Sequence, residues 1–473
     1  MKSRFVLGAV TAMLACVQNA YAADPTEQQF RALYKELVET NTTLSSGSCT
    51  LAAERIAARL KTAGFPESDL HLFADPAHPK EGGLVAVMPG RDPKAKAILL
   101  LAHIDVVEAK REDWTRDPFT LIEEDGKFYA RGVVDDKAQA AIWADSLIRF
   151  KQEGYQPRHT LKMALTCGEE TAGAFNGAEW LTKNRRELID AGYALNEGAG
   201  GELNASGKRV SMTVQAGEKV AQNYRLEVIN RGGHSSRPMK DNAIYHLAGA
   251  LTKVQGYEFP IQLTDGSKGY LNAMAKIQLD AGNKPIADAM KSVVKNPADT
   301  KAVATVSKAD ASWAAMLHTT CVATMLDAGH ATNALPQRAR ANVNCRIFPG
   351  VTQETVRQAL VKAINDPAVK VETLEIRGEN APPPVLTRAI MEPVEKLTAK
   401  MWPGVPVMPI LQSGATDGQF LNAAGIPTYG ISGIFLTPDL GNIHGLNEYI
   451  GVQSLMEGRV FLHELVKTYA EQI

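Results

Sequence analysis

Ala130-Arg131-Gly132-Val133-Val134-Asp135-Asp136-Lys137 is the stretch whose reading decides the fold. Two adjacent carboxylates stand between a glycine turn and the run Lys137-Ala-Gln-Ala-Ala-Ile-Trp-Ala-Asp-Ser-Leu-Ile-Arg-Phe150, whose apolar residues recur at helical spacing. Acidic residues at a helix start are by themselves an ordinary capping pattern, because the first N–H groups and the dipole favour negative charge. The company of this pair changes its reading. His103-Ile-Asp105, Glu169-Glu170, Glu197 and His444 are acidic or imidazole sites at predicted strand ends on either side. Together they suffice to hold two divalent metals, with Asp135 as the bridge.

Outward from that stretch, strand and helix patterns alternate. Leu84-Val-Ala-Val-Met88 and Ala97-Ile-Leu-Leu-Leu-Ala102 read as strands, the second continuously apolar as a strand buried on both faces should be. Asp125-Gly126 marks a hairpin turn between Phe119-Thr-Leu-Ile122 and Phe128-Tyr-Ala130. Upstream, Thr26 to Phe65 is helical, with an amphipathic helix from Leu51 ended by Gly64. Downstream, a strand from His159 to Thr166 ends at Cys167-Gly-Glu-Glu170, a helix spans about Ala178 to Ala191, and a short strand runs from Tyr193 to Glu197. Such alternation predicts an α/β layer with a largely parallel sheet, and the candidate ligands stand at the carboxyl ends of strands, where open sheets of this kind place their sites.

From about Val220 the texture changes. Tyr224-Arg-Leu-Glu-Val-Ile229 alternates, Asp241 to Gln255 is helical, and a polar Lys/Ala/Asp stretch runs from Gly266 to Lys308. Two alternating strands follow, Thr319 to Leu326 and Arg338 to Phe348, then a helix from Thr352 to Asn365. This predicts an α+β domain inserted into the first, returning near Gly378 before Ala381-Pro-Pro-Pro-Val385. The resulting division is a signal segment over 1–22, a catalytic domain over 23–218 and 379–473, and a lid over 219–378.

Length and charge agree with this. A chain of 473 residues is too long for one ordinary core, and Lys+Arg 51 against Asp+Glu 52, with no basic run, argues against nucleic acid or an anionic membrane as partner. Met1-Lys-Ser-Arg4, an apolar run from Phe5 to Val17 and Ala20-Tyr-Ala22 form a secretory signal, cleaved after Ala22; the run is too short for a membrane span. Export to a periplasm or the exterior is the simplest destination. Met13-Leu-Ala-Cys16 loosely resembles a lipoprotein box, but the A-x-A site fits better. Cleavage leaves Cys49, Cys167, Cys321 and Cys345, too few for a disulfide scaffold and without a C-x-x-C pair. Cys321 and Cys345, on two predicted strands, could cross-link; buried free thiols are the expectation.

In extended backbone His103 and Asp105 point to the same face, so Asp105 can fix the imidazole's tautomer. Glu169 and Glu170 point in opposite directions, so one can bind metal while the other takes a proton from water. One nitrogen and one carboxylate per metal, with a shared carboxylate, suit two zinc ions roughly 3.5–4 Å apart, and such a site lowers the pKa of water and polarises a carbonyl. Amide hydrolysis is the natural reaction. Cobalt or manganese would also be accepted by this mixed N/O set.

The ordered run of His103-x-Asp105, Trp114 with Asp117-Pro118-Phe119, Arg131-Gly-x-x-Asp135-Asp136-Lys137, Gly168-Glu169-Glu170, Asn196-Glu197-Gly198, Gly232-Gly-His234-Ser-Ser-Arg-Pro238, Asn333-Ala-Leu-Pro336, Arg346-x-x-Pro349, Ser413-Gly-x-Thr-Asp417 and His444-Gly-x-x-Glu448 resembles the di-zinc metallopeptidase family M20 of aminoacylases, bacterial glutamate carboxypeptidases, acetylornithine deacetylase and carnosinase-type dipeptidases. The resemblance covers nearly the whole mature chain. It implies a phosphorylase/hydrolase-like catalytic domain with a mostly parallel sheet and an inserted α+β lid that also serves dimerisation. It implies that His103, Asp135 and Glu197 hold one zinc and Asp135, Glu170 and His444 the other, with a cis Asp135–Asp136 bond. By the same resemblance Glu169 is the general base, His234 and Asn333 bind the oxyanion, Arg346 clamps the substrate carboxylate, and Ser413 and Gly414 line the substrate channel.

Glu197 favours the aminoacylase and carboxypeptidase branch, where the carnosinase type would carry Asp; the substrate is then a peptide or N-acyl amino acid with a free carboxylate. The alternatives are a carnosinase-type dipeptidase and a catalytically silent binding protein on the same fold. Ala138 and His330 depart from the glycines usual in the family, and His330, close to Asn333 in sequence, reads as a surface residue ahead of one that touches substrate. His71, His78, His159, His246, His318 and His463 lack partners nearby in sequence and read as structural. A homodimer, with His234 reaching the other subunit, is favoured over a monomer in which the stretch from Gly266 to Lys308 enlarges the lid and supplies the histidine within one chain.

Overall fold

The computed structural model describes residues 25–171, 173–375 and 380–472. The signal segment and the return near Gly378 lie outside the described residues. A ten-stranded sheet dominates, and at its centre Leu161–Thr166, Ile98–His103, Tyr193–Asn196 and Thr428–Gly430 run parallel to one another. Ile98–His103 is buried at every position, which accounts for its unbroken apolar sequence. Leu70–Phe73 and Gly83–Met88 continue the sheet antiparallel on one side. On the other, Arg209–Glu218 carries Val407–Gln412 in parallel. The helices Pro25–Glu39, Cys49–Thr62, Lys137–Gln152 and Val452–Ala470 bury their apolar faces in one shared core with the sheet, around Phe30, Trp143, Phe461 and Tyr469.

The turn at Asp125-Gly126 does form, with both residues in the left-handed region (φ 50° and 71°). The paired strands are Ile122–Glu124 and Lys127–Tyr129, and Tyr449–Gly451 adds a third to this small sheet. A four-stranded antiparallel sheet follows the order Thr320–Ala328, Arg338–Ile347, Val220–Ile229, Val369–Thr373. Tyr224, Leu226 and Val228 alternate inward with Ala341, Val343 and Ile347, and helices Ala243–Gln255 and Gln353–Ile364 close over them as a separate core. Arg209–Glu218 passes into Val220–Ile229 with only Lys219 between, so one extended segment joins the two sheets.

The polar stretch after Gly266 is helical: Asp265–Asp280, Lys284–Lys295 and Thr300–Ala309, the first and last capped by Thr264 and Asp299 side chains. These helices do not join the core of the four-stranded sheet. They form their own cluster around Leu271, Met290, Val293 and Leu317, against Met408 of the main sheet.

The expectation of free thiols is overturned. Cys321 and Cys345 face each other across the antiparallel ladder, with Cα atoms 4.0 Å apart, and are bonded. Cys49 and Cys167, 118 residues apart in sequence, are bonded as well. That link ties the start of a helix to the end of Leu161–Thr166, just before Glu169.

Candidate active site

Three parallel strands deliver much of the site at one rim of the sheet. His103 closes Ile98–His103, Glu169 and Glu170 follow Leu161–Thr166, and Glu197 follows Tyr193–Asn196. Asp135 arrives from a turn that requires Gly132, whose φ is +79° and whose Cβ, were there one, would lie 2.6 Å from Val106. The Asp135–Asp136 peptide is cis.

His103 Nε2 lies 2.9 Å from Asp135 Oδ1 and 3.6 Å from Glu197 Oε1. His444 Nε2 lies 3.2 Å from Asp135 Oδ2 and 2.9 Å from Glu170 Oε2. The two oxygens of Asp135 thus face different imidazoles. Two clusters result, His103 with Asp135 and Glu197, and Asp135 with Glu170 and His444, each with its ligand atoms within 4.8 Å of one another.

Buried struts hold these ligands. Glu448, 1% exposed, accepts hydrogen bonds from the backbone N–H of Gly132 (2.9 Å), Val134 (2.9 Å) and Asp135 (3.3 Å) and from Arg131 (2.8 Å). Arg131 in turn donates to the carbonyls of His444 (3.4 Å) and Gly445 (2.9 Å), so one ion pair ties the Asp135 turn to the His444 loop. Glu448 stands in the recognised sequence run, yet nothing in that run assigned it this work. Asp105 does more than was expected of it. Its carbonyl lies 3.1 Å from His103 Nδ1, and its carboxylate accepts from the backbone N–H of Glu169 (3.3 Å) and Glu170 (3.0 Å), so it positions the acidic pair as well as the imidazole. Asp417 accepts from Thr166 (2.8 Å) and Asn176 (2.6 Å) and braces the same loop from behind.

The electrostatics test whether these residues suit metal. Burial pushes the carboxyls of Glu169 and Glu197 well above the ordinary range and raises Glu170, with neighbouring carboxylates adding to it. His444 is drawn up to about 10 by its hydrogen bonds to Asp135 and Glu170. Asp136 keeps a buried Oδ2 with no hydrogen-bond partner. Acids are held toward protonation while an imidazole is held charged, which marks a donor set short of positive charge. One imidazole nitrogen and two carboxylate oxygens in each cluster fit a divalent ion of the zinc, cobalt or manganese type. The Glu169 carboxylate belongs to neither cluster and makes no hydrogen bond among the described residues, so it is free to carry a proton.

The remaining sequence-predicted residues lie elsewhere. His234 and Asn333 are brought together by a two-residue ladder, Gly233–His234 against Ala334–Leu335, with Ser235 N donating to the Asn333 carbonyl at 3.0 Å. Both are exposed, and among the described residues neither hydrogen-bonds to a residue of the two clusters. Arg346 stands near the end of Arg338–Ile347 and forms no ion pair among the described residues. Ser413 and Gly414 follow Val407–Gln412; Ser413 N donates to Gln412 Oε1 at 2.9 Å, and Gln412 Nε2 donates to the Gly198 carbonyl at 2.8 Å, beside Glu197. His330 is exposed. A cavity of about 470 Å³ adjoins Asp135 and Glu197, with walls that include Leu203, Val210, Ile410, Ile434, Leu436 and Leu440.

Residues 99–468 match the family described as Peptidase family M20/M25/M40. Human N-fatty-acyl-amino acid synthase/hydrolase PM20D1 is 28% identical over 385 residues, which cover 80% of this chain and 75% of that protein. Human aminoacylase-1 is 24% identical over 363 residues, 76% of this chain and 77% of that one. Among solved structures, the M20 family metallo-carboxypeptidase Sso-CP2 from Sulfolobus solfataricus shares the fold with a TM-score of 0.68 at 17% identity, over 94% of this chain and 99% of that chain. The family match takes in both ends of the constellation, from His103 to His444, together with the struts that carry it, and the chain belongs to Peptidase family M20/M25/M40, hydrolases of peptide and amide bonds.

Proposed function

We propose that this protein hydrolyses the amide bond of an N-acyl amino acid or small peptide whose amino-acid end carries a free carboxylate. The observation that carries the reading is the pair of clusters sharing Asp135, with the unengaged Glu169 carboxylate beside them. His103, Asp135 and Glu197 hold one zinc, and Asp135, Glu170 and His444 hold the other. When bound, such ions polarise the scissile carbonyl and lower the pKa of water. Glu169 takes the proton of the attacking water and returns it to the departing amine, a role that its raised proton affinity suits. His234 and Asn333, on the lid, donate to the oxygen that becomes anionic. Arg346 receives the carboxylate as a charge-assisted fork, and Ser413 and Gly414 border the path to it.

The acyl side is apolar in this reading, because aliphatic side chains make up one part of the wall of the cavity against Asp135 and Glu197, beside polar ones such as Gln139, Thr213 and Ser432. The likeness to PM20D1 and aminoacylase-1 supports an N-acyl amino acid over a dipeptide. Export is part of the proposal and draws support from the N-terminal sequence and from two disulfides, which persist in oxidising compartments. No described helix is long and apolar enough to cross a membrane. A homodimer is also proposed, through the edge strand Thr320–Ala328, which exposes Val322, Met325 and Leu326.

The test is release of free amino acid from a panel of N-acyl amino acids of graded acyl length and from dipeptides, before and after chelation and with zinc restored. Activity that rises with acyl length, vanishes on chelation and returns with zinc is expected. A chain that binds no metal, or is indifferent to chelation, sinks the proposal.

A further inference from the structure

We infer that Lys219 is a specificity residue, a buried second cation beside Arg346 whose field favours a carboxylate on the substrate. The inference rests on the amidohydrolase reading above and adds a residue that no sequence motif singled out.

Lys219 is the one residue between Arg209–Glu218 of the main sheet and Val220–Ile229 of the second. Side chains alternate along extended backbone, so Lys219 shares a face with Ala221, the direct register partner of Arg346. Thr320 pairs with Arg346 from the other side, and Lys219 Nζ donates to Thr320 Oγ1 at 3.2 Å. The three residues therefore lie together at one end of that face. Glu218 turns away, accepting from Thr416 and Gln215. The Lys219 backbone N–H donates to the Gln412 carbonyl at 3.0 Å, and the Gln412 side chain donates to Gly198 beside the metal ligand Glu197. A short relay of hydrogen bonds thus connects Lys219 to the cluster rim.

What Lys219 lacks is an anion. The residue is 0% exposed, and a neutral hydroxyl is the only hydrogen-bond partner of its ammonium among the described residues. Buried lysines are ordinarily paired, because an uncompensated buried ammonium is costly. The groups that act on it directly are basic or neutral: Arg346, His318 just ahead of Thr320–Ala328, and Thr320; the Glu258 carboxylate acts on His318 and not on Lys219. Burial, then the like charge of Arg346, brings the Lys219 amine down to about 7. Two cationic side chains converge, neither in an ion pair with a carboxylate among the described residues, and the substrate proposed above brings one. A bound carboxylate would hold the ammonium protonated. The competing reading is that Lys219 merely packs the junction as a neutral amine.

The two are separated by an N-acyl amino acid and its carboxamide, measured as kcat/KM on the metal-loaded enzyme. Binding of both to Glu169→Gln protein by calorimetry gives a second readout free of turnover. Wild type should prefer the carboxylate. Lys219→Met should lower that preference by about tenfold or more, chiefly in KM, and Lys219→Arg should restore most of it. In wild type alone the preference should decline as pH rises through about 7, where the free amine loses its proton; this needs no variant and holds even if Lys219→Met does not fold. Equal losses on both ligands, or a preference flat from about pH 6 to 9, overturn the inference. If wild type shows no preference, the carboxylate reading of the whole site falls and this inference with it. If Arg346→Met abolishes the preference while Lys219→Met leaves it intact, only the assignment of Lys219 is lost.

Discussion

At the rim of the main sheet, charged groups other than the Glu169 carboxylate have partners before any substrate arrives. Asp105 holds the backbone of Glu169 and Glu170, Glu448 holds the Asp135 turn, and Asp417 holds Thr166 and Asn176. On the second sheet Arg225 and Arg340 have carboxylate partners, but three donors there and on the small ladder do not. The His234 imidazole bonds only to Ser236, and Arg346 and Lys219 form no ion pair, among the described residues. The first region is assembled by folding itself, and the second keeps these donors uncommitted. A site that must release product gains from this division, since interactions reserved for the substrate act only while it is there. Changes at the rim should therefore strike metal content and chemistry, and changes on the second sheet should strike substrate.

The largest effect should follow Asp135→Ala, which removes the carboxylate common to both clusters. Activity should fall to background and both metals should leave together, as read by elemental analysis of the purified protein. One full equivalent retained would show that the clusters do not depend on a shared ligand. Next, Glu169→Gln should keep both metals and lose roughly 10²–10⁴-fold in turnover, the usual worth of a general base. Metal lost in step with activity would mean that Glu169 and Glu170 have exchanged roles.

His234→Ala should cost roughly 10²–10³-fold in kcat, as loss of one oxyanion donor does, with metal content unchanged. Its exposure and its distance from any ligand contact raise the question of which active site it serves. Mixing His234→Ala with Glu169→Ala subunits answers it. If the histidine works in trans, a mixed dimer has one complete site and activity returns. Subunit exchange shown by mass labelling, with no recovered activity, would place His234 within its own chain.

Legibility in the sequence followed burial. Ile98–His103 is covered on both faces, so its composition alone announced a central strand, and the ligands at neighbouring strand ends came with it. The hairpin turn was readable from Asp125-Gly126, but its first strand was placed too early, because a two-residue turn sets Glu124 opposite Lys127 and Ile122 opposite Tyr129. The helices between Asp265 and Ala309 were hidden by their polar faces: Leu271, Met274 and Ala275, or Ala287, Met290 and Val293, recur at helical spacing within a run dominated by Lys, Ala and Asp. Cys49 and Cys167 meet only through tertiary folding, and no local pattern reports a bond across 118 residues. The same reason concealed Glu448 as a strut and Lys219 as a cation, since the role of each depends on distant partners.

Glu218 and Lys219 are adjacent residues that belong to the two different regions, and Glu218 offers the smallest and most local test of the contrast. Its carboxyl is buried, with Oε2 accepting from Thr416 (2.8 Å) and Gln215 (3.0 Å) and Oε1 lacking a partner. Burial pushes it from 4.5 up to about 8. The folded chain therefore holds a proton there that the unfolded chain has already released, and linkage sets the sign: stability is full below about 4.5, falls as pH rises, and levels off above about 8. Glu218→Gln keeps the shape and removes the titration. At pH 8 the variant should be the more stable by about 1–3 kcal/mol, the cost of an unsatisfied buried polar group, while near pH 5 the two proteins should converge. Thermal midpoints at the two pH values provide the measurement. Its preference for carboxylate over carboxamide should stay that of wild type, because this side chain faces the main sheet and not Arg346. Parallel stability curves would show that Glu218 is ionised and compensated in the fold, and a changed preference would show that the junction does not separate the two regions.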